Sequence, residues 1–232
     1  MDKGYFNSYK EDLNLEFLRR YCTENGEARL VRQGDFLEKA GEPARWIAYV
    51  EEGYFKYMVH NEREEKDYCT GFAFEGEFVA DYPYCLTGRL SEVSIKAGMD
   101  CRVHVIDAAD LQRMYEEDSE KMCIGKQITE SLFRMVYSRF LDFYRHDAKE
   151  RYALLLRRCP QIVHILSLKD IASYLNITPT HMSRIRREIA QNEDVLKNLT
   201  GGEFLSFFSE WYNDCARLHI HDANVQRGSC HR

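Results

Sequence analysis

The segment of residues 167–190, SLKDIASYLNITPTHMSRIRREIA, decides the fold of the whole chain. It predicts two short helices joined by a tight turn. Ser167 is a residue that caps helix starts, and Asn176 tolerates the left-handed backbone that a sharp turn after a helix requires. Thr178 is placed to cap the second helix, and Pro179 occupies its first position, where a missing N–H costs nothing. The segment therefore predicts a helix-turn-helix motif.

The two faces of the second helix differ in chemistry. Met182, Ile185 and Ile189 recur at i, i+3 and i+7, which is typical of a helix packed on a core. The opposite face carries hydroxyl and cationic side chains, as the recognition helix of a DNA-binding motif does. The candidate DNA-contacting residues are Thr178, Thr180, His181, Ser183, Arg184 and Arg187. An ordinary helical hairpin with a solvated basic face is the alternative interpretation of this pattern.

These side chains suit the chemistry of a DNA duplex. Arg184 can donate two parallel hydrogen bonds to a guanine edge in the major groove. The free N–H groups near Thr178 suit a DNA phosphate. The 232-residue chain has a net charge of −6, but residues 145–190 hold nine lysines and arginines against four acidic residues. A basic segment inside an acidic chain is typical of a DNA-binding domain attached to another domain.

The first half of the chain has the pattern of a β-structure. Between residues 28 and 107, short runs rich in aromatic and β-branched residues alternate with glycines, which predicts a sandwich, barrel or jelly roll. Apolar residues at helical spacing predict helices over residues 13–22, 108–115, 119–145 and 146–158. The helix over 119–145 is too apolar to be exposed alone, so it lies on its own sheet or pairs with a copy of itself. A parallel pair would make the dimer that a two-fold symmetric DNA site requires, and a helix buried within its own subunit is the alternative.

Several function classes are disfavoured by the sequence. The eight cysteines form no C-x-x-C pair, which favours free thiols in a reducing cytosol. Residues 1–10 contain no secretory signal, and no apolar run approaches the ~18 residues of a membrane span. We therefore expect a cytoplasmic protein without a membrane partner. The absence of G-x-S-x-G, H-E-x-x-H and P-loop motifs favours a protein that is not an enzyme.

The order of these parts resembles the Crp/Fnr family of bacterial transcription regulators, the catabolite-activator type. The resemblance covers residues 31–190. In the second half it rests on KERY at residues 149–152 and on the segments LKDIA and MSRIR of the helix-turn-helix. In the first half it rests on YVEEGYFK at residues 49–56 and on turn glycines. These glycines are Gly34, Gly41, Gly53 and Gly76.

The resemblance implies an α+β fold with an N-terminal cyclic-nucleotide-binding-like β-roll (a jelly roll), a long dimerisation helix and a C-terminal winged-helix/helix-turn-helix. The implied domains are a sensor at 1–118, a dimerisation helix at 119–145, a DNA-binding domain at 146–192 and a C-terminal extension at 193–232. Thr180, Ser183 and Arg184 fall on the base-reading positions of the family. Pro179 departs from the polar or charged residue of many members, so we expect a different target sequence.

The resemblance also implies a function and partners. It implies a dimeric, sequence-specific transcription regulator whose β-roll senses an unknown small-molecule effector. Double-stranded DNA, a second copy of the chain and RNA polymerase are the implied partners, and no cofactor is expected. The alternative, from a different class, is a small-ligand or protein-binding signalling module that no longer binds DNA.

The effector expected here is not a cyclic nucleotide. Family members that bind one use a Gly-Glu pair, found here as Gly76-Glu77, and a later Arg-Ser pair that neutralises the phosphate. This chain has Ser91-Glu92 at the later position, and a carboxylate repels a phosphate. Arg89, two residues earlier, could share the same strand face, but its side chain would reach a position roughly 6–7 Å away. The candidate effector-pocket residues are Gly76, Glu77, Arg89 and Ser91.

Two further features have weaker functional interpretations. The iron–sulfur branch of the family needs a cysteine cluster near the N-terminus, and Cys22 stands alone. Residues 204–218 have the spacing of an amphipathic helix, which we expect to pack on its own domain or on a partner subunit. Cysteine and histidine side chains follow it, but scattered residues in a flexible end are favoured over a metal site. These residues are Cys215, His219, His221, Cys230 and His231.

Overall fold

The structure, a computed structural model, describes residues 6–191. The strands of this part are β1 (Glu27–Val31), β2 (Phe36–Glu38), β3 (Trp46–Glu52), β4 (Tyr54–Asn61), β5 (Lys66–Phe74), β6 (Phe78–Val79), β7 (Ser94–Ala97) and β8 (Cys101–Asp107). The helices are α1 (Tyr9–Asp12), α2 (Glu16–Asn25), α3 (Tyr84–Thr87), α4 (Ala108–Glu117), α5 (Ser119–Arg145), α6 (Ala148–Arg158), α7 (Ile162–Ile165), α8 (Leu168–Tyr174) and α9 (Pro179–Gln191).

The strands form a jelly roll of two four-stranded antiparallel sheets, as the sequence predicts. One sheet has the order β1-β8-β3-β6 and the other β2-β7-β4-β5. Alternate side chains of β8 point inward, so Cys101, Val103 and Val105 are buried while Arg102 is exposed. They meet Phe55 and other apolar side chains of the second sheet in one core between the two layers. This period-two burial is what a sheet with one core face produces.

The turn glycines of the β-roll take backbone conformations that other residues avoid. Gly34, Gly41, Gly53 and Gly76 all have positive φ angles, between 78° and 93°. At Gly53 the turn also passes close to β8, because a Cβ there would lie 2.7 Å from Cys101 Sγ and 3.0 Å from the Asp100 carbonyl oxygen. Glycine is therefore required at this position by both conformation and space.

The two helices that follow the β-roll, α4 and α5, begin at side-chain caps. Asp107 caps α4 and Asp118 caps α5, each accepting a hydrogen bond from a backbone N–H of the first turn. The long helix spans Ser119–Arg145, which confirms the predicted range. The helix predicted over residues 13–22 begins and ends three residues later, as α2 (Glu16–Asn25), and the Asn14 side chain before it accepts a hydrogen bond from Glu16 N at 3.1 Å.

The C-terminal part of the described chain is a bundle of four helices, α6 to α9. Asp147 and Glu150 form a capping box that starts α6, and Ser167 caps α8 by accepting from Asp170 N at 3.1 Å. Asn176 has the left-handed conformation predicted for the turn, with φ of 55°. Thr178 accepts a hydrogen bond from His181 N at 3.1 Å and starts α9. The two helices and the turn are therefore confirmed, whereas the predicted wing and the extension at 193–232 lie outside the described residues.

This helical bundle packs on the β-roll of its own chain. The side chain of Asp170 on α8 forms an ion pair with Lys56 on β4 at 3.0 Å. The backbone N–H of Cys69 on β5 donates to Ser173 Oγ at 2.9 Å. The Tyr174 ring lies 5.6 Å from the Phe72 ring. Apolar side chains of both units belong to one continuous core cluster.

The thiols of the described residues are unpaired, as expected from their spacing. Five are buried and Cys123 is exposed. Burial raises the pKa of Cys22 and Cys159 to about 12, which keeps both protonated and unreactive at neutral pH. Between residues 6 and 191 no helix is long and apolar enough to cross a membrane. The same residues contain no cluster of metal-ligating side chains, and the cysteine and histidine cluster near the C-terminus lies outside them.

Candidate DNA interface and effector cavity

The two faces of α9 differ in their exposure to solvent. Met182, Ile185 and Ile189 are buried against the other helices of the bundle. On the opposite face Thr180, Ser183, Arg184 and Arg187 are exposed, together with the capping residue Thr178. His181 is half-buried beside them. The structure therefore brings all six candidate DNA-contacting residues to one surface.

Local hydrogen bonds determine which donors and acceptors on this face of α9 are available to an external partner. The Ser183 hydroxyl donates to the Pro179 carbonyl oxygen at 3.0 Å, so it can still accept a hydrogen bond from an external donor. The Arg184 guanidinium lies 3.9 Å from Glu188 and its side chain is 68% exposed. An exposed ion pair of this length is weak. Arg184 can therefore exchange Glu188 for a better acceptor without a large loss.

The Gly76-Glu77 position is occupied by the chain's own N-terminal segment, residues 6–10. Glu77 is buried, and its carboxylate accepts from Asn7 Nδ2 at 2.6 Å and from Phe74 N at 2.9 Å. Lys10 Nζ donates to the Gly76 carbonyl oxygen. Burial raises the pKa of Glu77 above its ordinary value, and the hydrogen bonds from Phe74 and Asn7 oppose that shift. Glu77 therefore holds protein groups rather than facing open space.

The Ser91 position is also internally satisfied. The Asp81 carboxylate accepts from the Ser91 hydroxyl and from Glu92 N, both at 2.8 Å. Ser91 and Glu92 stand at the position where the resemblance expects the Arg-Ser pair of members that bind a cyclic nucleotide. A carboxylate of the protein therefore takes the place that an anionic ligand group would need.

Arg89 is not on a strand beside Ser91. It follows the left-handed Gly88 at the end of α3, in a loop before β7, and its side chain is exposed. Its guanidinium lies 5.8 Å from the centre of the Tyr84 ring. The alternation of a strand, on which its expected position depended, does not apply to this loop.

A cavity of about 440 Å³ lies between the β-roll, α4 and α5. Its wall is mostly apolar, with Ile47, Phe72, Leu111, Ile128 and Leu132 among the lining side chains. None of Gly76, Glu77, Arg89 and Ser91 lines it. The volume falls within the range of pockets that hold small molecules. The structure thus offers a ligand-sized space that is displaced from the residues expected to form it.

Polar groups on the cavity wall fall into two sets. Most already have a hydrogen-bond partner within the protein; these are Asn7, Tyr9, Tyr57, Thr70, Asp81 and Tyr82. Two have buried polar atoms without a partner among the described residues, namely Tyr115 Oη and Arg139 Nε. An unpaired buried polar group costs about 1–3 kcal/mol. A bound ligand could supply the missing partners.

Arg139 joins the cavity to the N-terminal segment. Its Nη2 donates to the Phe6 carbonyl oxygen at 2.6 Å and to Asn7 Oδ1 at 3.2 Å. Its guanidinium also lies 4.3 Å from the centre of the Phe6 ring. The Phe6 ring in turn lies 5.4 Å from the ring of Tyr174 on α8. One chain of contacts therefore runs from the cavity wall to the helix-turn-helix.

Sequence reasoning missed Asn7, Asp81, Tyr115 and Arg139. The first three lie in segments without a motif. Arg139 carried a usable signal, because it is a cation that interrupts the apolar row of a long helix. A cation at such a position is expected to have a specific partner.

Comparison with known proteins identifies the parts of this architecture. The family model of the cyclic nucleotide-binding domain matches residues 28–118. No curated protein sequence matches the chain.

Solved structures extend the likeness beyond that domain. FixK2 from Bradyrhizobium japonicum is 18% identical and superposes with a TM-score of 0.62 over 72% of this chain and 85% of that one. CLP, a c-di-GMP responsive global regulator of Xanthomonas campestris, is 16% identical, with a TM-score of 0.58 over 77% of this chain and 92% of that one. A Eubacterium rectale protein described as a transcriptional regulator of the Crp/Fnr family is 13% identical, with a TM-score of 0.60 over 88% of this chain and 99% of that one. Residues 28–118 therefore form a cyclic nucleotide-binding domain, and the chain has the fold of the Crp/Fnr transcription regulators.

Proposed function

We propose that this protein is a dimeric, sequence-specific DNA-binding transcription regulator, not an enzyme, that acts in the cytoplasm. The observation that carries the proposal is the two-sided chemistry of α9. Met182, Ile185 and Ile189 are buried, while Thr180, Ser183, Arg184 and Arg187 are exposed together. Hydroxyls and guanidinium groups on one helix face suit base edges and phosphates of a major groove. RNA polymerase is the further partner that a regulator of this type would engage.

Dimerisation is proposed through the outward face of α5. Phe133 and Tyr137 stack with ring centres 5.7 Å apart, and Phe140 and Tyr144 lie 5.1 Å apart. Each of these side chains is at least half exposed, with Tyr144 at 77%. Phe143 extends the same apolar band, which repeats every three to four residues as in a coiled coil. A second copy of α5 is the partner that this spacing fits, and two-fold symmetry would present two recognition helices to a palindromic site.

Regulation is proposed to start in the cavity. Phe72 lines the cavity and its ring contacts Tyr174 of α8. A ligand that displaces Phe72 or the N-terminal segment would alter the packing of α8, and α9 is joined to α8 by a short turn. Differential affinity of the ligand for two arrangements of these helices would shift their populations. The carboxylates of Glu77 and Asp81 each accept hydrogen bonds from other residues of the protein, Asn7 and Ser91 respectively. This supports an effector other than a cyclic nucleotide.

The direct test is selection of bound sequences from a random DNA pool with the full-length protein at near-physiological salt. We expect a palindromic motif whose half-sites are about one helical turn apart. The selection is repeated with cell extract added, because an effector can be required. No enrichment under either condition would refute the proposal.

Substitutions on α9 then assign the contacts. Arg184→Ala is expected to weaken binding to the selected site by about 1–3 kcal/mol and to relax preference at one base pair. Arg187→Ala is expected to weaken binding to all sequences and to lower the salt slope by about one. Arg20→Ala on α2 removes the same charge from an exposed side chain far from α9 and serves as the control. Equal DNA affinity of all three variants would contradict the proposed interface.

A further inference from the structure

The cavity follows the long helix for several turns, and this shape restricts its ligand. Its lining residues on α5 are Ile128, Leu132, Met135, Val136 and Arg139. The first and last are separated by about 16 Å along the helix axis, at 1.5 Å per residue. A cavity of about 440 Å³ stretched over this length is narrow. It therefore suits an extended molecule better than a compact one.

The two buried polar atoms without partners belong to side chains, Tyr115 and Arg139, that meet α5 at different levels. The Tyr115 ring rests on Gly125, where an added Cβ would come within 2.9 Å of it. Gly125 precedes Arg139 by fourteen residues, which places the two polar groups at different levels of α5. The side chains between these levels, such as Leu132 and Met135, are apolar. The wall thus offers a polar group, an apolar stretch and a second polar group.

Charge distinguishes the two ends. Arg139 is the one cationic side chain among the described residues of the wall, and no ion pair joins it to a carboxylate among the side chains that the structure describes. The neighbouring Glu77 is engaged by Asn7 and Phe74. Burial lowers the pKa of Arg139, and the nearby Glu77 carboxylate opposes that shift only in part. An anionic group of a ligand would provide that compensation and accept from Nε.

The other charged group on the wall limits how many anionic groups a ligand can carry. Asp81 lies on the wall and accepts hydrogen bonds from Ser91 and Glu92. It repels a ligand with several negative charges, such as a nucleotide. A monoanion whose charged group lies at the Arg139 end avoids this repulsion.

We propose that the effector is an extended, mainly apolar monocarboxylate with a hydrogen-bonding group at its far end, held by Arg139 at the carboxylate and by Tyr115 at the other end. This inference deepens the proposed function and rests on it for the regulatory consequence. The carboxylate would bind beside the Phe6 carbonyl and Asn7, so its arrival would change the contacts that hold the N-terminal segment. The apolar chain would cover Ile128 and Leu132.

The test uses three compounds of equal chain length on the full-length protein: ω-hydroxydecanoate, decanoate and the corresponding α,ω-diol. Calorimetric titration below micelle-forming concentrations gives each affinity. We expect ω-hydroxydecanoate to bind at least about tenfold more tightly than the diol, because a hydrogen bond to a charged group is worth about 1.5–3 kcal/mol. It should bind about threefold more tightly than decanoate, through the weaker neutral hydrogen bond.

Two variants separate the ends of the ligand. Arg139→Gln is expected to abolish the preference for the acid over the diol while leaving the affinity for the diol within about twofold. Tyr115→Phe is expected to abolish the preference for ω-hydroxydecanoate over decanoate. Tyr152→Phe is the matched control, because Tyr152 also has a buried hydroxyl without a partner but does not line the cavity. It should leave every ratio unchanged.

The titration results can be interpreted separately from a failure of the proposed function. Equal affinity of wild type for acid and diol, or no binding of any probe at millimolar concentration, overturns the inference about the ligand. DNA selection is performed on the same protein sample. If DNA binding persists while no probe binds, the ligand inference alone is wrong. If neither DNA nor a probe is bound, the proposed function is wrong as well.

Discussion

Replacing Phe6 with alanine tests whether the N-terminal segment holds the DNA-binding unit to the β-roll. Phe6 is 1% exposed. Its ring makes edge contacts with Phe72, Phe74 and Tyr174 at 5.4 to 5.7 Å between ring centres. It therefore contacts two strand residues of one unit and a helix residue of the other.

The expected cost follows from these contacts. Truncation of a fully buried phenylalanine typically lowers the free energy of unfolding by about 3–5 kcal/mol. Aromatic pairs contribute about 0.5–1.5 kcal/mol each beyond area burial, and the loss of the cation–π contact with Arg139 adds about 0.5–2 kcal/mol. Some of these terms overlap with the cost of truncation. We therefore expect a total loss near the upper part of the first range.

Urea unfolding followed by far-ultraviolet circular dichroism measures the global effect. Hydrogen exchange gives its location, and we expect faster exchange in α8 than in the core strands β3 and β8. Phe36→Ala is the control, because Phe36 is 42% exposed and its truncation should cost less than about 1 kcal/mol. A Phe6→Ala loss below about 1 kcal/mol, or uniform acceleration of exchange over both units, would refute the argument.

Three further predictions concern other parts of the molecule. Burial raises the pKa of Glu77 above its ordinary value of 4.5, so the folded state binds the proton of Glu77 more tightly than the unfolded state does. Lowering the pH from about 7 to about 4 should therefore stabilise the wild type relative to Glu77→Gln. Parallel curves of stability against pH for the two proteins would contradict this prediction. Phe140→Glu should convert the proposed dimer into a monomer in sedimentation experiments, whereas an unchanged mass would remove α5 as the interface. Gly125→Ala should lower the melting temperature, because overpacking against the Tyr115 ring costs about 1–3 kcal/mol. This cost is expected to exceed the gain of about 1 kcal/mol in helix propensity. An increased melting temperature would show that the Tyr115 ring can move aside.

The parts of the fold that the sequence predicts are those with local physical signals. Ser167, Asn176 and Thr178 define the helix-turn-helix because capping and left-handed turns depend on a few neighbouring residues. The long helix is predicted by the apolar period of its sequence. The turns of the β-roll are predicted by their glycines, which adopt the positive φ angles that other residues avoid. The wing and the C-terminal extension remain predictions.

The candidate site was less accessible to sequence reasoning because its contacts are long-range. Asn7 and Glu77 are seventy residues apart in the chain, and no periodic pattern links them. The cavity residue Tyr115 belongs to the amphipathic pattern of α4, so its sequence position indicates core packing rather than an unpaired hydroxyl. Arg139 lies in the apolar row of α5, and only its contacts with Phe6 and Asn7 show which face it occupies. Dimerisation, DNA contacts and the effector remain proposals.

The pairing of Asp81 with Ser91 and Glu92 has a consequence for ligand selection in the cell. The carboxylate and the donors that it satisfies belong to one chain and are ten residues apart or little more. Even a flexible tether of short length gives an effective concentration in the millimolar range, and an oriented one gives far more. A free nucleotide would have to displace the Asp81 carboxylate, although the concentration of the nucleotide is well below the effective concentration of that carboxylate. We therefore expect the domain to respond weakly to changes in nucleotide concentration, which would let one cell operate several regulators of this fold on separate signals.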